Sequence, residues 1–376
     1  MNDRLRIVII GLTITSSWGN GHATTYRGLV RELVRRKHRV LFLERDAEWY
    51  AANRDLPVPP FGQTVLYTTV PELRDRFAAE IRDADLVVVG SYVPDGIEIG
   101  EWVSSSATGV TAFYDIDTPV TLADLGAGRC QYLTPGLVAR YHLYLSFTGG
   151  PILRQLQKTY GARGVHPLYC SFDPAIYFPE LREPRWDLGY MGTFAPDRQR
   201  SLESLLITAA RQLPGQRFVV AGPKYPAGIW PSNVERIEHV AASHHRDFYN
   251  SQRFTLNLTR ADMVRAGYSP SVRLFEAAAC GVPIISDYWK GLETILRPGR
   301  EIIISQSAED TRRALCGIRD RERHAIARRA RTRVLSDHTA EHRAIQLETY
   351  VAEARATVPR PRLVGSCSSM VTVPSV

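Results

Sequence analysis

The chain lacks the sequence features of membrane-spanning and secreted proteins. No apolar run among its 376 residues reaches the roughly 20 residues that a transmembrane helix needs. Residues 1–6 lead directly into a short apolar strand pattern, without the apolar core and small-residue cleavage site of a signal peptide. We therefore expect a cytoplasmic protein with no transmembrane segment, although peripheral contact with a membrane stays open.

Cysteine is also scarce. The five cysteines are scattered, and no two of them form a Cys-x-x-Cys pair. This distribution argues against a disulfide framework or a cysteine-based zinc site. The glycine-rich loop after the first strand matches neither Gly-x-Gly-x-x-Gly nor the Gly-Lys-Ser/Thr of a P-loop, so it indicates neither a dinucleotide site nor ATP hydrolysis. We expect reduced thiols, no metal and no cofactor.

Lysine is the rarer cation, and arginine carries nearly all of the positive charge behind the net charge of +8. The densest basic stretch, Arg312–Arg333, has alanine, leucine and isoleucine at helical spacing between its charges. That spacing favours a solvated helix face. Because no basic platform interleaved with aromatic residues is present, we expect no nucleic-acid partner and rank a nucleic-acid-binding protein as a low alternative.

The length suits two domains, since 376 residues exceed one ordinary α/β core. Short apolar runs at Ile7–Ile10, Val40–Leu43 and Leu86–Gly90 alternate with helical patterns such as His22–Arg36. Continuous apolar strands between helices predict a parallel sheet that is covered on both faces. The same rhythm restarts in the second half of the chain, so we predict two Rossmann-like, doubly wound α/β domains that face one cleft.

Proline-bearing sequence marks the predicted boundary between these domains. We place an acceptor-side domain at 1–170, a linker at 171–186 and a nucleotide-sugar-binding domain at 187–338. A last helix at 339–356 has the length to cross back to the first domain, and 357–376 has the composition of a flexible tail. In open parallel sheets, ligands bind beyond the carboxyl ends of the strands, so loops of both domains would line the cleft.

The most informative stretch is Tyr268–Asp287, which predicts a loop, a helix, a glycine turn and a buried strand. Ser269 or Ser271 can cap the helix, whose N-terminus suits a diphosphate. Glu276 lies within the first two turns, where a carboxylate can accept hydrogen bonds from both hydroxyls of a ribose. Arg273 stands three residues earlier on a neighbouring surface. Alternatively, these last two residues form a simple surface ion pair.

The same stretch resembles the donor-binding region of GT-B glycosyltransferases, in which Phe-Glu-Ala precedes Ala-Cys-Gly-Val-Pro and a strand. The likeness is strongest to the glycosyltransferases that resemble spore maturation protein B, where a loop rich in serine and proline, and an arginine, precede Phe-Glu. The resemblance implies that Glu276 holds the donor ribose and that the Ser269–Ser271 loop meets the diphosphate. Many related enzymes carry a second glutamate eight positions earlier, where this chain has Tyr268.

A second stretch, Leu188–Arg198, resembles the first strand and loop of the same donor domain. A glycine at the strand end, Gly192 before Thr193, lets a phosphate approach the backbone. Arg198 at the start of the next helix can bind a diphosphate bidentately, or can be a surface arginine. Related enzymes often add a lysine shortly afterwards, whereas Arg200 is the only nearby cation here.

Two further residues are candidates for the nucleotide site. Gly222, in the sequence Ala-Gly-Pro, follows the next predicted strand and resembles the loop that borders the base in this family. Tyr249 is either a stacking partner of the base or a core tyrosine.

The loop after the first strand, with Gly19, Asn20 and Gly21, faces the donor phosphates across the cleft in GT-B enzymes. His22 opens the next helix and is a candidate for acid–base work or phosphate contact, with a packed or capping histidine as the alternative. Asp115 and Asp117 follow another strand and are candidate bases for an inverting enzyme, or turn residues before a proline. Their Asp-x-Asp spacing lies in the acceptor half, so we do not expect a metal site.

These expectations converge on a metal-independent glycosyltransferase of the hexosyltransferase class. It would move a sugar from a nucleoside-diphosphate donor, with UDP or dTDP as the carrier, to a hydroxyl of a small-molecule or glycan acceptor. The alternative is a GT-B-fold nucleotide-sugar epimerase or phosphorylase-like enzyme. The sequence leaves open the donor, the acceptor, the stereochemical outcome and the oligomeric state.

Overall fold

The computed structural model describes residues 4–19 and 21–357, and their strands form two sheets. The N-terminal sheet contains β1 (Arg6–Gly11), β2 (Arg39–Arg45), β3 (Gln63–Tyr67), β4 (Leu86–Gly90), β5 (Val110–Asp115), β6 (Leu143–Ser146) and β7 (Gly164–Pro167). The C-terminal sheet contains β8 (Trp186–Met191), β9 (Phe218–Ala221), β10 (Val234–Ile237), β11 (Gln252–Asn257), β12 (Ile284–Ser286) and β13 (Ile303–Ile304).

Helices connect these strands. Those of the N-terminal half are α1 (His22–Arg35), α2 (Glu48–Ala51), α3 (Val70–Asp83), α4 (Gly96–Ser106), α5 (Thr118–Gly126), α6 (Pro135–Val138) and α7 (Pro151–Tyr160). The C-terminal half contains α8 (Pro196–Leu202), α9 (Thr208–Gln212), α10 (His245–Asn250), α11 (Ala261–Ala266), α12 (Val272–Ala279), α13 (Leu292–Ile295), α14 (Ala308–Gly317), α15 (Asp320–Asp337) and α16 (Ala340–Thr357). A π-helical turn, Glu203–Ile207, joins α8 to α9, and a 3-10 turn, Ala242–His244, precedes α10.

Both sheets are parallel and share one topology. The first has the strand order β3-β2-β1-β4-β5-β6-β7, and the second has β10-β9-β8-β11-β12-β13. In each sheet the order reverses beside the first strand, which is the doubly wound arrangement that places a ligand at the carboxyl ends of the central strands. The prediction of two doubly wound parallel-sheet domains is therefore confirmed.

Three edge strands, β3, β7 and β10, were not predicted from the sequence. Their residues are mostly half-buried, whereas the central strands β4 and β5 are buried throughout. An edge strand packs on fewer neighbours, so its sequence lacks the continuous apolar run that identifies a central strand.

Helical spacing in the sequence also predicts one helix over Arg198–Leu213 and one over Ala308–Leu335, and the structure differs from both predictions. The pattern over Arg198–Leu213 is interrupted by the π-helical turn, and the pattern over Ala308–Leu335 is two helices that separate near Ile318. The basic stretch therefore lies on α14 and α15, where several arginines pair with acidic residues three or four positions away in the same helix: Arg312 with Glu309, Arg313 with Asp310, Arg323 with Asp320 and Arg333 with Asp337.

The last helix, α16, returns to the N-terminal half and packs against α1 and the strands β5 to β7. Arg36, which follows α1, holds Glu348 of α16 with Nε–Oε1 at 2.6 Å. The linker is connected to the start of α16 by a β-bridge between Phe172 and Thr339, the residue before α16. Of the predicted tail, residues 358–376 lie outside the described residues.

Candidate functional site

A cleft of about 280 Å³ lies where loops of the two sheets meet. It is lined by the loop before α1, by the loops after β8, β9 and β10, and by the N-terminal half of α12. The residues are Ser17, Gly19, Gly21, Thr24, Met191, Gly192, Thr193, Arg198, Ala221, Gly222, Pro223, His239, Val240, His245, Tyr249, Ser271, Val272, Arg273 and Glu276. The carboxyl ends of β8 and β9 thus open onto the cleft.

Two glycines keep the loops after β8 and β9 close together. A Cβ on Gly222 would stand 2.1 Å from the carbonyl oxygen of Gly192, and the backbone φ of Gly222 is +146°. A Cβ on Gly192 would stand 2.7 Å from the hydroxyl of Tyr190. Neither position accepts a side chain without displacement of these neighbours, so backbone lines this part of the cleft.

The N-terminus of α12 is fixed by contacts with the ends of β8 and β11. Arg273 donates from Nε to the carbonyl oxygen of Met191 at 2.8 Å and from Nη1 to Oδ1 of Asn257 at 2.8 Å. Ser271 donates to the same Asn257 oxygen at 2.7 Å. Arg273 is buried, so the alternative of a simple surface ion pair with Glu276 does not describe it.

The expected helix cap is wrong for both serines. Ser271 stands at the N-cap position of α12 but makes no side-chain cap hydrogen bond, because its hydroxyl is directed to Asn257. The hydroxyl of Ser269 lies 2.8 Å from that of Thr148 in the N-terminal half, so this serine joins the two domains.

Glu276 reaches the cleft from α12 and is held by tyrosine hydroxyls. Tyr249 donates to Oε2 at 3.0 Å, and the hydroxyl of Tyr177 from the linker, which lies 3.4 Å from Nδ1 of His245, is close enough to lower the pKa of the carboxyl. Burial raises the pKa of Glu276 to about 7, although both hydroxyls and the charge of Arg273 lower it. The buried carboxyl therefore takes up a proton near neutral pH, unless further donors stabilise its charge.

Tyr249 is fully buried and acts through its hydroxyl, so its described contacts are those of a positioning residue for Glu276 rather than of a stacking platform. His245 lies beside it, with Nε2 donating to the carbonyl oxygen of Val240 at 3.2 Å. Burial lowers the pKa of His245 to about 4, so its ring is neutral at neutral pH. This histidine and the Tyr177 hydroxyl were not identified from the sequence.

Arg198 lies on the cleft at the start of α8. Its Nη2 donates to the carbonyl oxygen of Thr193 at 2.7 Å, and its Nε is buried without a hydrogen-bond partner. A guanidinium with an unused buried donor is a ready anion ligand. Arg198 and Glu276 therefore line the same cleft.

The loop before α1 is anchored by two acidic residues that the sequence analysis did not identify. Glu44, at the end of β2, accepts hydrogen bonds from the backbone N–H groups of Ile14 and Thr15 at 2.7 and 3.0 Å. Asp55 accepts from the N–H of Ser17 at 2.8 Å. These contacts hold the loop so that Gly19 and Gly21 line the cleft; Asn20 lies outside the described residues.

The loop before α1 contacts the C-terminal half of the chain directly. The Thr193 hydroxyl lies 3.4 Å from the carbonyl oxygen of Gly19, and a Cβ on Gly21 would stand 3.5 Å from the side chain of Val272. The predicted phosphate-facing loop and the predicted donor loop therefore meet across the cleft.

The three candidate acid–base residues occupy different places. Asp115 is fully buried and accepts from the hydroxyls of Tyr144 at 2.5 Å and Thr121 at 2.7 Å. Burial raises the pKa of Asp115 to about 6. All of its described contacts are internal, and it does not line the cleft. The structure therefore shows Asp115 as an internal polar residue.

Tyr92, which was not identified from the sequence, contacts both His22 and Asp117. The rings of His22 and Tyr92 meet edge to face at 5.7 Å, and the Tyr92 hydroxyl donates to Oδ2 of Asp117 at 2.9 Å. Tyr92 has a backbone φ of +62°, a strained conformation of the kind that clusters at functional sites. Burial lowers the pKa of His22 to about 4.

Within residues 4–19 and 21–357, no group of three or more His, Cys, Asp and Glu side chains is placed to hold a metal ion. Nor does any helix there combine the length and apolarity required to cross a bilayer.

One family model matches the chain. Residues 198–349 match the model described as Glycosyl transferase-like, which covers the C-terminal sheet from α8 onward together with most of α16. The match therefore includes Arg198, Arg273 and Glu276. No curated protein matches the sequence.

Solved structures resemble the whole chain. Sucrose-phosphate synthase from Thermosynechococcus elongatus aligns with a TM-score of 0.70 and 13% identity over 94% of this chain and 100% of that chain. HepE from Anabaena in complex with UDP and glucose gives 0.68 and 13%, with coverage of 94% and 100%. An α-glucosyltransferase in complex with UDP-glucose and DNA containing an abasic site gives 0.69 and 12%, with coverage of 93% and 100%.

Identities this low establish the fold alone. The predicted GT-B architecture, with two Rossmann-like domains facing a cleft, is confirmed, and so is the resemblance to GT-B glycosyltransferases. The narrower likeness to the group around spore maturation protein B stays a prediction, as do the roles of the individual site residues.

Proposed function

We propose that the protein is a glycosyltransferase that transfers a sugar from a nucleoside-diphosphate sugar, with UDP as the first candidate carrier, to a hydroxyl of a small-molecule or glycan acceptor. The observation that carries the proposal is the placement of Glu276 and Arg198 on one cleft between the two sheets. UDP is the first candidate because HepE and the α-glucosyltransferase are described in complexes that contain it.

In this proposal Glu276 binds the ribose hydroxyls. Its carboxylate is buried, and each ribose hydroxyl would add a donor to those of Tyr177 and Tyr249. Further hydrogen bonds to the charged form lower a carboxyl pKa, so nucleotide binding would keep Glu276 ionised at neutral pH. His239 and Val240, on the loop after β10, would border the base.

The diphosphate would lie between Arg198, the N-terminus of α12 and the glycine-rich loop of the N-terminal half. During transfer, the bond between the anomeric carbon and the diphosphate oxygen breaks, and the acceptor oxygen forms a new bond to that carbon. The leaving diphosphate keeps the electron pair, and the proton of the acceptor hydroxyl passes to a base beside the acceptor or to an oxygen of the leaving diphosphate. The guanidinium and the backbone N–H groups stabilise the charge that develops on the leaving group.

A thermal-shift panel tests donor binding. Wild type, Glu276→Ala and the control Glu322→Ala, an exposed residue of α15, are each heated with UDP, dTDP, ADP and GDP. One diphosphate at 100 times its Kd should stabilise wild type and control by about 2.7 kcal/mol. Glu276→Ala should lose most of this shift, because the ribose hydroxyls of the nucleotide would have no carboxylate partner. Equal shifts in all three proteins would remove Glu276 from the nucleotide site.

Product analysis separates transfer from the alternative activities. The matching nucleotide sugar is incubated alone and then with a panel of sugar and small-molecule hydroxyl acceptors. A transferase releases the nucleoside diphosphate rapidly only when an acceptor is present. An epimerised nucleotide sugar, or a free sugar phosphate formed without acceptor, would contradict the proposed reaction.

A further inference from the structure

Arg260 is a cation that both halves of the molecule share. It follows β11 and directly precedes α11, and its Nη1 donates to Oδ2 of Asp117 in the N-terminal half at 2.9 Å. Its Nε lies 3.5 Å from Oδ2 of Asp197 in the C-terminal half. The side chain is 34% exposed, so the guanidinium can change partners without leaving a packed core.

Asp117 is only partly satisfied by these contacts. Oδ2 accepts from both Arg260 and Tyr92, whereas Oδ1 is buried and has no hydrogen-bond partner. Burial raises the pKa of this carboxyl, and the charges of Arg260 and Arg198 lower it. Two guanidinium groups thus act on one acidic residue at the border between the domains.

The same arginine does not itself line the cleft but lies close to Arg198, which does, because the charges of both arginines act on Asp117. Asp197, its second partner, is adjacent in sequence to Arg198, which lines the cleft. A diphosphate carries more than one negative charge, and Arg200, the other cation on α8, is exposed and lines a separate hollow with Asp287 and Tyr288. Arg273 also lines the cleft, but its guanidinium is already committed to the Met191 carbonyl oxygen and to Asn257. Arg260 is therefore the better placed guanidinium that can change partners.

We infer that Arg260 is a shared partner of Asp117 and of the donor diphosphate, so that donor binding releases Asp117 toward the acceptor side of the cleft. This inference rests on the proposed function. The phosphate oxygens compete with the two aspartates for the guanidinium, because they offer charge-assisted, bidentate hydrogen bonds. Asp117 then keeps the Tyr92 hydroxyl on Oδ2, and the acceptor capacity that Arg260 vacates becomes available to an acceptor hydroxyl. Donor would bind before acceptor.

The inference makes opposite predictions for the two ends of the ion pair. Titration calorimetry with UDP and UMP compares wild type, Arg260→Ala, Arg260→Lys and Asp117→Asn. Loss of one charge-assisted hydrogen bond should weaken UDP binding to Arg260→Ala about tenfold and UMP binding much less. Arg260→Lys should keep part of the affinity. Asp117→Asn should bind UDP about two- to fivefold more tightly, because the arginine is released from its competitor.

The controls are Arg82→Ala and Asp83→Asn, an exposed ion pair at the end of α3. Both should bind UDP as wild type does. The double variant Arg260→Ala/Asp117→Asn should show no gain over Arg260→Ala, because Asp117 affects UDP only through the arginine. Urea midpoints identify any variant that loses its fold, in which case Arg260→Lys and Asp117→Asn alone carry the comparison.

Three outcomes overturn the inference. Asp117→Asn with unchanged or weaker UDP binding would show that the ion pair does not compete with the nucleotide. Equal losses of UDP and UMP affinity in Arg260→Ala would place the arginine away from the second phosphate. Wild type that binds no UDP contradicts the proposed donor as well, which distinguishes failure of the inference alone from failure of both.

Discussion

Glu276 in the C-terminal half and Asp115 in the N-terminal half are both buried carboxyl groups that accept a hydrogen bond from a tyrosine hydroxyl. Asp115 is enclosed, since Tyr144, Thr121 and the backbone N–H of Asp117 all donate to it. Glu276 is held by hydroxyls but also lines the cleft. Burial raises the pKa of both groups, to about 6 for Asp115 and about 7 for Glu276.

The two carboxyl groups differ in where their hydrogen-bond donors come from. Internal donors occupy Asp115, so its carboxylate stabilises the local structure. Glu276 faces a space in which a ligand can supply the missing donors. Asp117 is intermediate, because one oxygen is paired and the other is not. A buried acid at the end of a strand is therefore a binding group only where the fold leaves room for a partner.

The largest expected effect concerns Asp115. Asp115→Ala should lower the free energy of unfolding by about 3 kcal/mol, because the hydroxyls of Tyr144 and Thr121 lose their acceptor inside the core. Urea denaturation of this variant and of the exposed control Asp83→Ala measures the difference. An unchanged unfolding free energy would show that Asp115 is not the structural acid of this comparison.

Glu276, in contrast, should lower the free energy of unfolding when it is ionised, and this effect should depend on pH. Its pKa is raised from 4.5 to about 7 in the folded protein, so the folded state binds the proton more tightly. Stability conferred by this group is therefore present at low pH and lost as pH rises from about 4.5 to about 7, by about 3 kcal/mol.

Glu276→Gln removes that dependence. The difference in unfolding free energy between wild type and this variant, measured by urea denaturation from pH 5 to pH 8, isolates Glu276 from the buried histidines, which titrate in both proteins. We expect the variant to gain relative stability as pH rises. A difference that stays constant over this range would mean that the pKa of Glu276 is not raised.

The same substitution should weaken nucleotide binding while it favours folding. An amide accepts hydrogen bonds from a ribose less strongly than a carboxylate, so Glu276→Gln should lower UDP affinity about tenfold. Titration calorimetry at pH 8 checks this expectation, with Glu322→Gln as the exposed control. Retained affinity would assign the ribose to another residue.

The smallest expected effect separates two tyrosine hydroxyls. Tyr249→Phe removes a donor to Glu276 and should weaken UDP binding about threefold, the value of a typical hydrogen bond. Tyr92→Phe removes a donor to Asp117 and should leave UDP affinity nearly unchanged, because its hydroxyl makes no contact with Glu276 and Tyr92 does not line the cleft. Equal effects of both variants would contradict the division of the cleft into donor and acceptor sides.

Local sequence predicted the residues whose roles depend on backbone pattern. The central strands, the helix that carries Glu276 and the glycine loops after β1, β8 and β9 were recognised because apolar runs and glycine spacing report burial and turns directly. Three of the four edge strands, β3, β7 and β10, were missed, since half-buried residues carry no continuous apolar signal.

Tertiary structure alone decided which polar side chains meet. Tyr177 lies about 100 residues before Glu276, and Arg260 lies 143 residues after Asp117. Asp115 and Asp117 have the same chemistry and are two residues apart, yet Asp115 is enclosed within the N-terminal half and Asp117 pairs with Arg260 of the C-terminal half. Such contacts depend on how the two domains pack. The spacing of residues along the chain does not determine which of them are close in space.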